Sequence, residues 1–168
     1  IMVSRFASSK DQETVIRAME TIDKDVILRF VGDGENLEHC KQVANDCSVA
    51  DRVQFLGSRS DVAELIAESY IGIQSSNWEG FGLTAVELMA CGKPVIATNV
   101  EGLKQVVEGA GKVFSKGNAN ELAEKVNLLL ADVNLYCDIS RKCISRAAQY
   151  DIHLMADSYK KLYIHLIN

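Results

Sequence analysis

Basic residues are in the minority in this sequence, tryptophan and proline occur once each, and no apolar run is long enough to cross a bilayer. With 18 Lys and Arg against 23 Asp and Glu, the net charge is −5. That balance disfavours nonspecific binding to nucleic acid, which needs an extended basic face. Any anion the protein binds is therefore met locally. No charged-then-apolar leader opens the chain, and a soluble protein is expected. The five cysteines (Cys40, Cys47, Cys91, Cys137, Cys143) form an odd set without a Cys-x-x-Cys pair, against both a disulfide framework and a zinc site. Asn-x-Ser/Thr sequons are also missing, so reduced cysteines on core or helix positions of a cytoplasmic protein are expected. There is no internal repeat and no low-complexity segment, and Pro94 is the only proline.

What is present fits one well-buried core: 168 residues, 48% of them hydrophobic, read as a single domain over 1–168. Short apolar runs at Ile1–Ser4, Asp25–Val31, Arg52–Leu56, Tyr70–Gln74, Val95–Thr98 and Lys112–Phe114 read as strands. Helical patterns separate them: one starting near Asp11, then about Glu35–Ser48, Asp61–Glu68, a central helix from Leu83, and a small one ending at Val107. This alternation implies βαβ units, hence an α/β fold with a doubly wound, mostly parallel, Rossmann-like sheet. The remainder reads as a helical C-terminal segment, Asn120–Ala131, Leu135–Ala148 and Ile152–Ile167. Met155, Tyr159, Leu162 and Leu166 make a stripe on the last helix of the kind that more often packs into a core than onto a membrane. Ile1 already reads as a strand residue, so a fragment cut at a domain boundary is expected.

The chain is organised around Trp78–Gly92, a glycine-rich loop running into a helix whose only polar residues between Leu83 and Cys91 are Thr84 and Glu87. Such a helix is expected to be buried on most sides. Glu87 shares a helical stripe with Leu83 and Cys91, and a carboxylate buried there needs donors or a ligand. Glu79 precedes the helix, with Gly80 and Gly82 flanking Phe81, where backbone N–H groups can approach an anion at the helix N-terminus. Blander readings stand beside these. Glu79 can be an acidic residue favoured near a helix start, and Glu87 a buried carboxylate paired with an arginine. Lys10, at the start of the first helix, opposes the dipole and reads either as a solvated lysine or as an anion partner. Asp23-Lys-Asp25 invites comparison with paired metal-binding aspartates, but its place before a strand favours a turn. Gly32-Asp-Gly34 is only part of a dinucleotide fingerprint, since the third glycine position falls on Leu37, and reads as a tight strand-to-helix turn. Ligands of such a sheet lie beyond the carboxyl ends of its strands, where Arg5, Lys10, the Gly57–Asp61 loop, Glu79–Leu83 and Gly102 would gather.

Taken in order, Ser4-Arg-Phe with Lys10, Val31-Gly-Asp-Gly34, Phe55-Leu-Gly57, Glu79-Gly-Phe-Gly-Leu with Glu87, Ala90-Cys-Gly-Lys-Pro-Val-Ile96 and Thr98-Asn-Val-Glu-Gly102 run through most of the chain. On these motifs the chain resembles the C-terminal, donor-binding half of a retaining glycosyltransferase of the GT-B type, in the large family 4. Glu79 and Glu87 match that family's Glu-x7-Glu motif.

The resemblance implies a hexosyltransferase that uses a nucleotide sugar, without metal or other cofactor. Its catalytic residues would be Glu79, Arg5 and Lys10. Arg5 and Lys10 would hold the diphosphate, Gly57, Ser58 and Arg59 would meet the base, and Gly80, Phe81, Gly82 and Leu83 would present backbone near phosphate and sugar. Glu79 would contact the donor sugar, Glu87 the ribose, and Gly102 would complete the donor site. The resemblance also implies an N-terminal acceptor domain outside this chain, without which the chain is expected not to turn over. Peripheral association with the inner membrane face would come through that domain. Because relatives pack the chain end against it, an exposed apolar patch on the last helix is expected here. Two other classes stay open: a nucleotide-binding module without turnover, and a GT-B nucleotide-sugar epimerase. Many relatives carry Gly-Gly where this chain has Glu101-Gly102, an extra negative charge that bears on donor preference.

Overall fold

In the computed structural model, which describes residues 1–167, six strands alternate with helices as the sequence pattern predicts. Asn168, the last residue of the expected domain, lies outside the described residues. The strands are β1 (Met2–Val3), β2 (Leu28–Val31), β3 (Val53–Phe55), β4 (Gly72–Gln74), β5 (Val95–Thr98) and β6 (Lys112–Phe114). The helices are α1 (Gln12–Ala18), α2 (Leu37–Asp46), α3 (Val62–Glu68), α4 (Leu83–Ala90), α5 (Leu103–Val107), α6 (Ala119–Ala131), α7 (Val133–Ala147) and α8 (Ile152–Ile167). None of them is long and apolar enough to cross a membrane, among the described residues.

All strand pairings are parallel, in two three-stranded runs, β1-β2-β3 and β4-β5-β6. The runs meet at Ile1, whose carbonyl accepts from the Ile73 N–H at 2.8 Å and whose nitrogen donates to the Ile71 carbonyl at 2.9 Å. That is the slanted bonding of a parallel pair. The spatial order is therefore β3-β2-β1-β4-β5-β6, a doubly wound sheet whose direction reverses between β1 and β4. β5 is buried at every residue, as an interior parallel strand covered on both faces must be.

Local chemistry starts the helices where the sequence places them. Asp11 accepts from the Thr14 N–H at 3.1 Å, Asn118 from Glu121 at 3.1 Å, and Asp132 from Asn134 and Leu135 at 3.0 and 2.9 Å. Each side chain satisfies donors that the first helical turn leaves open. Phe6, Phe30 and Phe55 cluster with ring centroids 5.5 to 6.0 Å apart beneath one half of the sheet. Leu88, Met89, Ile96, Leu103 and Leu122 fill the other half. Asp23 makes a turn, its carboxylate accepting from the Asp25 N–H at 3.0 Å.

The structure corrects the sequence reading at two helices. α4 is apolar nearly all round yet buries one side only, Ala85, Leu88 and Met89, against β4, β5 and α7. The stripe singled out by its spacing, Leu83, Glu87 and Cys91, is the one facing solvent. Its partner elements cover the opposite side, and composition alone does not say which side that is. α8 has the stripe of a core helix but packs into no core: none of its residues is buried, and Leu154, Met155, Tyr159 and Leu162 are each about half exposed. The exposed apolar patch expected there is present. Among the cysteines Cys40 and Cys143 are buried, whereas Cys91 and Cys137 are exposed.

Candidate functional site

The crossover between β1 and β4 brings together loops far apart in sequence. Gln12 holds the first of them, its amide donating to the Ser4 hydroxyl at 3.1 Å and to the Arg5 carbonyl at 2.9 Å. Phe6 N–H donates to the Asp33 carbonyl at 2.9 Å, and Gly32 N–H to the Gly57 carbonyl at 2.8 Å, which laces the ends of β1, β2 and β3. Gly32 has φ +136°, and a Cβ there would lie 2.0 Å from the Ser4 carbonyl oxygen, so no other residue lets these backbones meet. The tight-turn reading of Gly32-Asp-Gly34 therefore holds, for the reason of backbone approach.

Arg5 emerges from this lacing exposed and makes no side-chain hydrogen bond or ion pair among the described residues. It lines an open concavity of about 540 Å³ with Gly32, Asp33, Gly34 and Ser58. Gly57 precedes Ser58 there, its carbonyl taken by the Gly32 N–H, while the Arg59 guanidinium turns to Asp61, at 2.7 and 2.8 Å. That pairing holds the Asp61 carboxyl below its ordinary range and the Arg59 guanidinium above its own.

Lys10 is not a solvated lysine. Its ammonium pairs with the Glu79 carboxylate, and Ser76 Oγ stands 3.4 Å from both charged groups. The two side chains are only 15% and 19% exposed, so the pair is shielded enough to matter. It joins the loop after β1 to the loop after β4. Asp11 N–H to the Ser75 carbonyl (3.1 Å), Asn77 N–H to the Ser9 carbonyl (2.8 Å) and the Asn77 side-chain amide to the Ser8 and Lys10 carbonyls (3.0 and 3.2 Å) close the same junction. Thr98 braces it from β5, its hydroxyl accepting from the Ser76 N–H at 2.7 Å. Gln12, Ser76, Asn77 and Thr98 position the site without standing out as site candidates in the sequence. The polar run Ser75-Ser-Asn77 at the end of an apolar strand is the signal for Ser76 and Asn77, and the Thr98-Asn-Val-Glu-Gly102 motif that for Thr98.

Gly80 and Phe81 lead into Gly82, which caps α4 in the left-handed conformation at φ +90°. Phe81 sets its ring edge-on against Tyr150 at 5.3 Å, and Leu83 opens the helix 69% exposed. Glu87 lies one turn on, exposed and without a hydrogen bond or ion pair among the described residues. The paired-arginine reading of Glu87 fails with its burial, and Glu79 is held by Lys10 and not by a helix start. Gly102 has φ +80°, and a Cβ there would lie 2.4 Å from the Glu79 carbonyl oxygen, so the loops after β4 and β5 touch backbone to backbone. Trp78, Glu79, Glu101, Gly102 and Gln105 line a further open concavity, of about 590 Å³, at that contact.

The family description "Glycosyl transferases group 1" matches residues 1–149. N-acetyl-alpha-D-glucosaminyl L-malate synthase of Bacillus anthracis is 31% identical over 168 residues, 97% of this chain and 44% of that protein. N,N'-diacetylbacillosaminyl-diphospho-undecaprenol alpha-1,3-N-acetylgalactosaminyltransferase of Campylobacter jejuni is 36% identical over 117 residues, 68% of this chain and 31% of that protein. The chain thus spans less than half the length of these curated relatives. Among solved structures, Anabaena HepE in complex with UDP superposes with a TM-score of 0.89 at 28% identity, over 96% of this chain and 48% of that one. The same protein in complex with UDP-glucose gives a TM-score of 0.87. The fold is that of GT-B glycosyltransferases, with their Rossmann-like parallel sheet and helical C-terminal segment.

Proposed function

Because the chain belongs to the glycosyl transferases group 1, we propose that it is the donor-binding half of a retaining, nucleotide-sugar-dependent hexosyltransferase of family 4. The observation that carries this is the junction of Lys10 with Glu79 at the crossover of the sheet, with Arg5, unpaired among the described residues, on the same loop as Lys10 and the start of α4 following Glu79.

Arg5 and Lys10 hold the diphosphate, and the first N–H groups of α4, after Gly80, Phe81 and Gly82, add donors toward the same negative charge. As the bond from sugar to phosphate lengthens, charge grows on the leaving diphosphate, and these fixed cations and dipoles stabilise it without a metal. Glu79 exchanges its partner when donor binds: the phosphates take Lys10, and the carboxylate turns to sugar hydroxyls. Glu87 accepts from the ribose hydroxyls on the exposed side of α4, beside Leu83. Gly57, Ser58 and Arg59 border the base, and Gly102 keeps the Glu79 loop in place. Most of the acceptor site and any contact with the inner membrane face belong to a second domain of a cytoplasmic enzyme, and this chain alone does not turn over.

The test is calorimetric titration with UDP, GDP and ADP, each beside its monophosphate and nucleoside, in the absence of divalent metal. UDP is the first choice, since HepE is seen with it. One diphosphate should bind without metal, and removing a phosphate should weaken it at least tenfold. Equal binding of the nucleoside would overturn the roles given to Arg5 and Lys10.

A further inference from the structure

We infer that the concavity between the loops after β4 and β5 is a saccharide subsite, formed by Trp78, Glu101 and Gln105, that seats a neutral sugar ring of the acceptor beside the donor site. The inference rests on the transferase function proposed above.

Trp78 is the only tryptophan in the sequence, and 59% of it is exposed, although its own N–H and that of Asn77 tie the backbone to the Ser9 carbonyl. A large apolar ring held in water on a fixed backbone is a platform. The floor beneath it is equally fixed, since Gly102 rests on the Glu79 and Gly80 carbonyls with no room for a side chain. The volume of about 590 Å³ is within the roughly 300–1,000 Å³ of small-ligand pockets.

The lining chemistry selects the occupant. No lysine or arginine borders this concavity, whereas Glu101 brings a carboxylate with no ion pair among the described residues, so a phosphate is repelled. Carboxylates and the Gln105 amide accept from hydroxyls, and the electron-rich indole face attracts the C–H face of a pyranose. Neither Arg5, Lys10 nor Leu83 lines it, so it lies beside the proposed diphosphate seat and borders the donor site at Glu79, Gly80 and Gly102. Glu101 thereby gains a role: it binds hydroxyls at the rim and keeps anions out.

Because Trp78 is unique, tryptophan emission reports on this concavity alone. The chain, saturated with UDP, is titrated with maltose, cellobiose, N,N'-diacetylchitobiose and, as a cationic control, choline. One disaccharide should change the emission saturably, and Glu101→Gln with Gln105→Ala should weaken it at least tenfold. By saturation-transfer NMR the same disaccharide should lose contact with Trp78→Ala, while UDP affinity of that variant, measured calorimetrically, stays within twofold. A response to choline alone, no response to any disaccharide, or loss of UDP affinity in Trp78→Ala would each overturn the subsite. If UDP fails to bind, the disaccharides are titrated without it, so that the two proposals fail separately.

Discussion

Lys10 and Glu79 neutralise each other in the free protein, and this sets what substitution of either does. Glu79→Gln releases Lys10, so a nucleoside diphosphate should bind about three- to tenfold more tightly, the usual span of a partly shielded ion pair. The nucleotide sugar should lose that advantage, because the amide replaces an acceptor for its hydroxyls. Lys10→Ala should weaken both ligands. Parallel calorimetry of the two ligands checks this, and equal gains for both in Glu79→Gln would show that Glu79 does not reach the sugar. Both residues were legible as loop residues at strand ends, but not as a pair, because 69 positions separate them and only the crossover brings them together. Glu87 was legible as a candidate for a different reason from the one the structure gives: its helix is apolar, yet its own stripe is the uncovered one.

At the scale of elements, α6 depends on Glu121. Its carboxylate accepts from Lys125 Nζ at 2.8 Å and from the Ser115 N–H at 2.8 Å, and these bonds pull its pKa down to about 2 from an ordinary 4.5. A depressed carboxylate stabilises the fold fully above its ordinary value and loses that contribution as pH falls toward 2. Glu121→Gln should therefore cost about 1 kcal/mol near neutral pH, the usual worth of such a cap and bond, and the gap from the parent should close in acid. Urea unfolding at a series of pH values measures it, and a pH-independent gap would deny the carboxylate this part. α8 gives the opposite case. With none of its residues buried, removal of the segment after Tyr150 should move the thermal midpoint by less than about 2 °C and raise solubility. A larger drop would mean that α8 covers the domain. Capping residues, apolar runs and glycines made every element legible, and α8 was found over its full observed span. Its surroundings were not, since the same stripe serves a helix in a core and one awaiting a partner.

Over the whole molecule, strand order was not readable from the sequence, although it decides everything about the site. Parallel βαβ units fix direction, and it is the bonds of Ile1 to Ile71 and Ile73 that set β1 of the first half beside β4 of the second. Arg5 and Lys10 belong to one half, Glu79 to Glu87 to the other, and besides the shared core, with α1 packed on α6, a row of bonds and one ion pair hold the site's two loops together. A ligand gripped by both halves is therefore also a fastener. When it is in place, the loops of either half can open their backbone amides to solvent exchange only after the ligand has left, so amide exchange at the site should slow in both halves together.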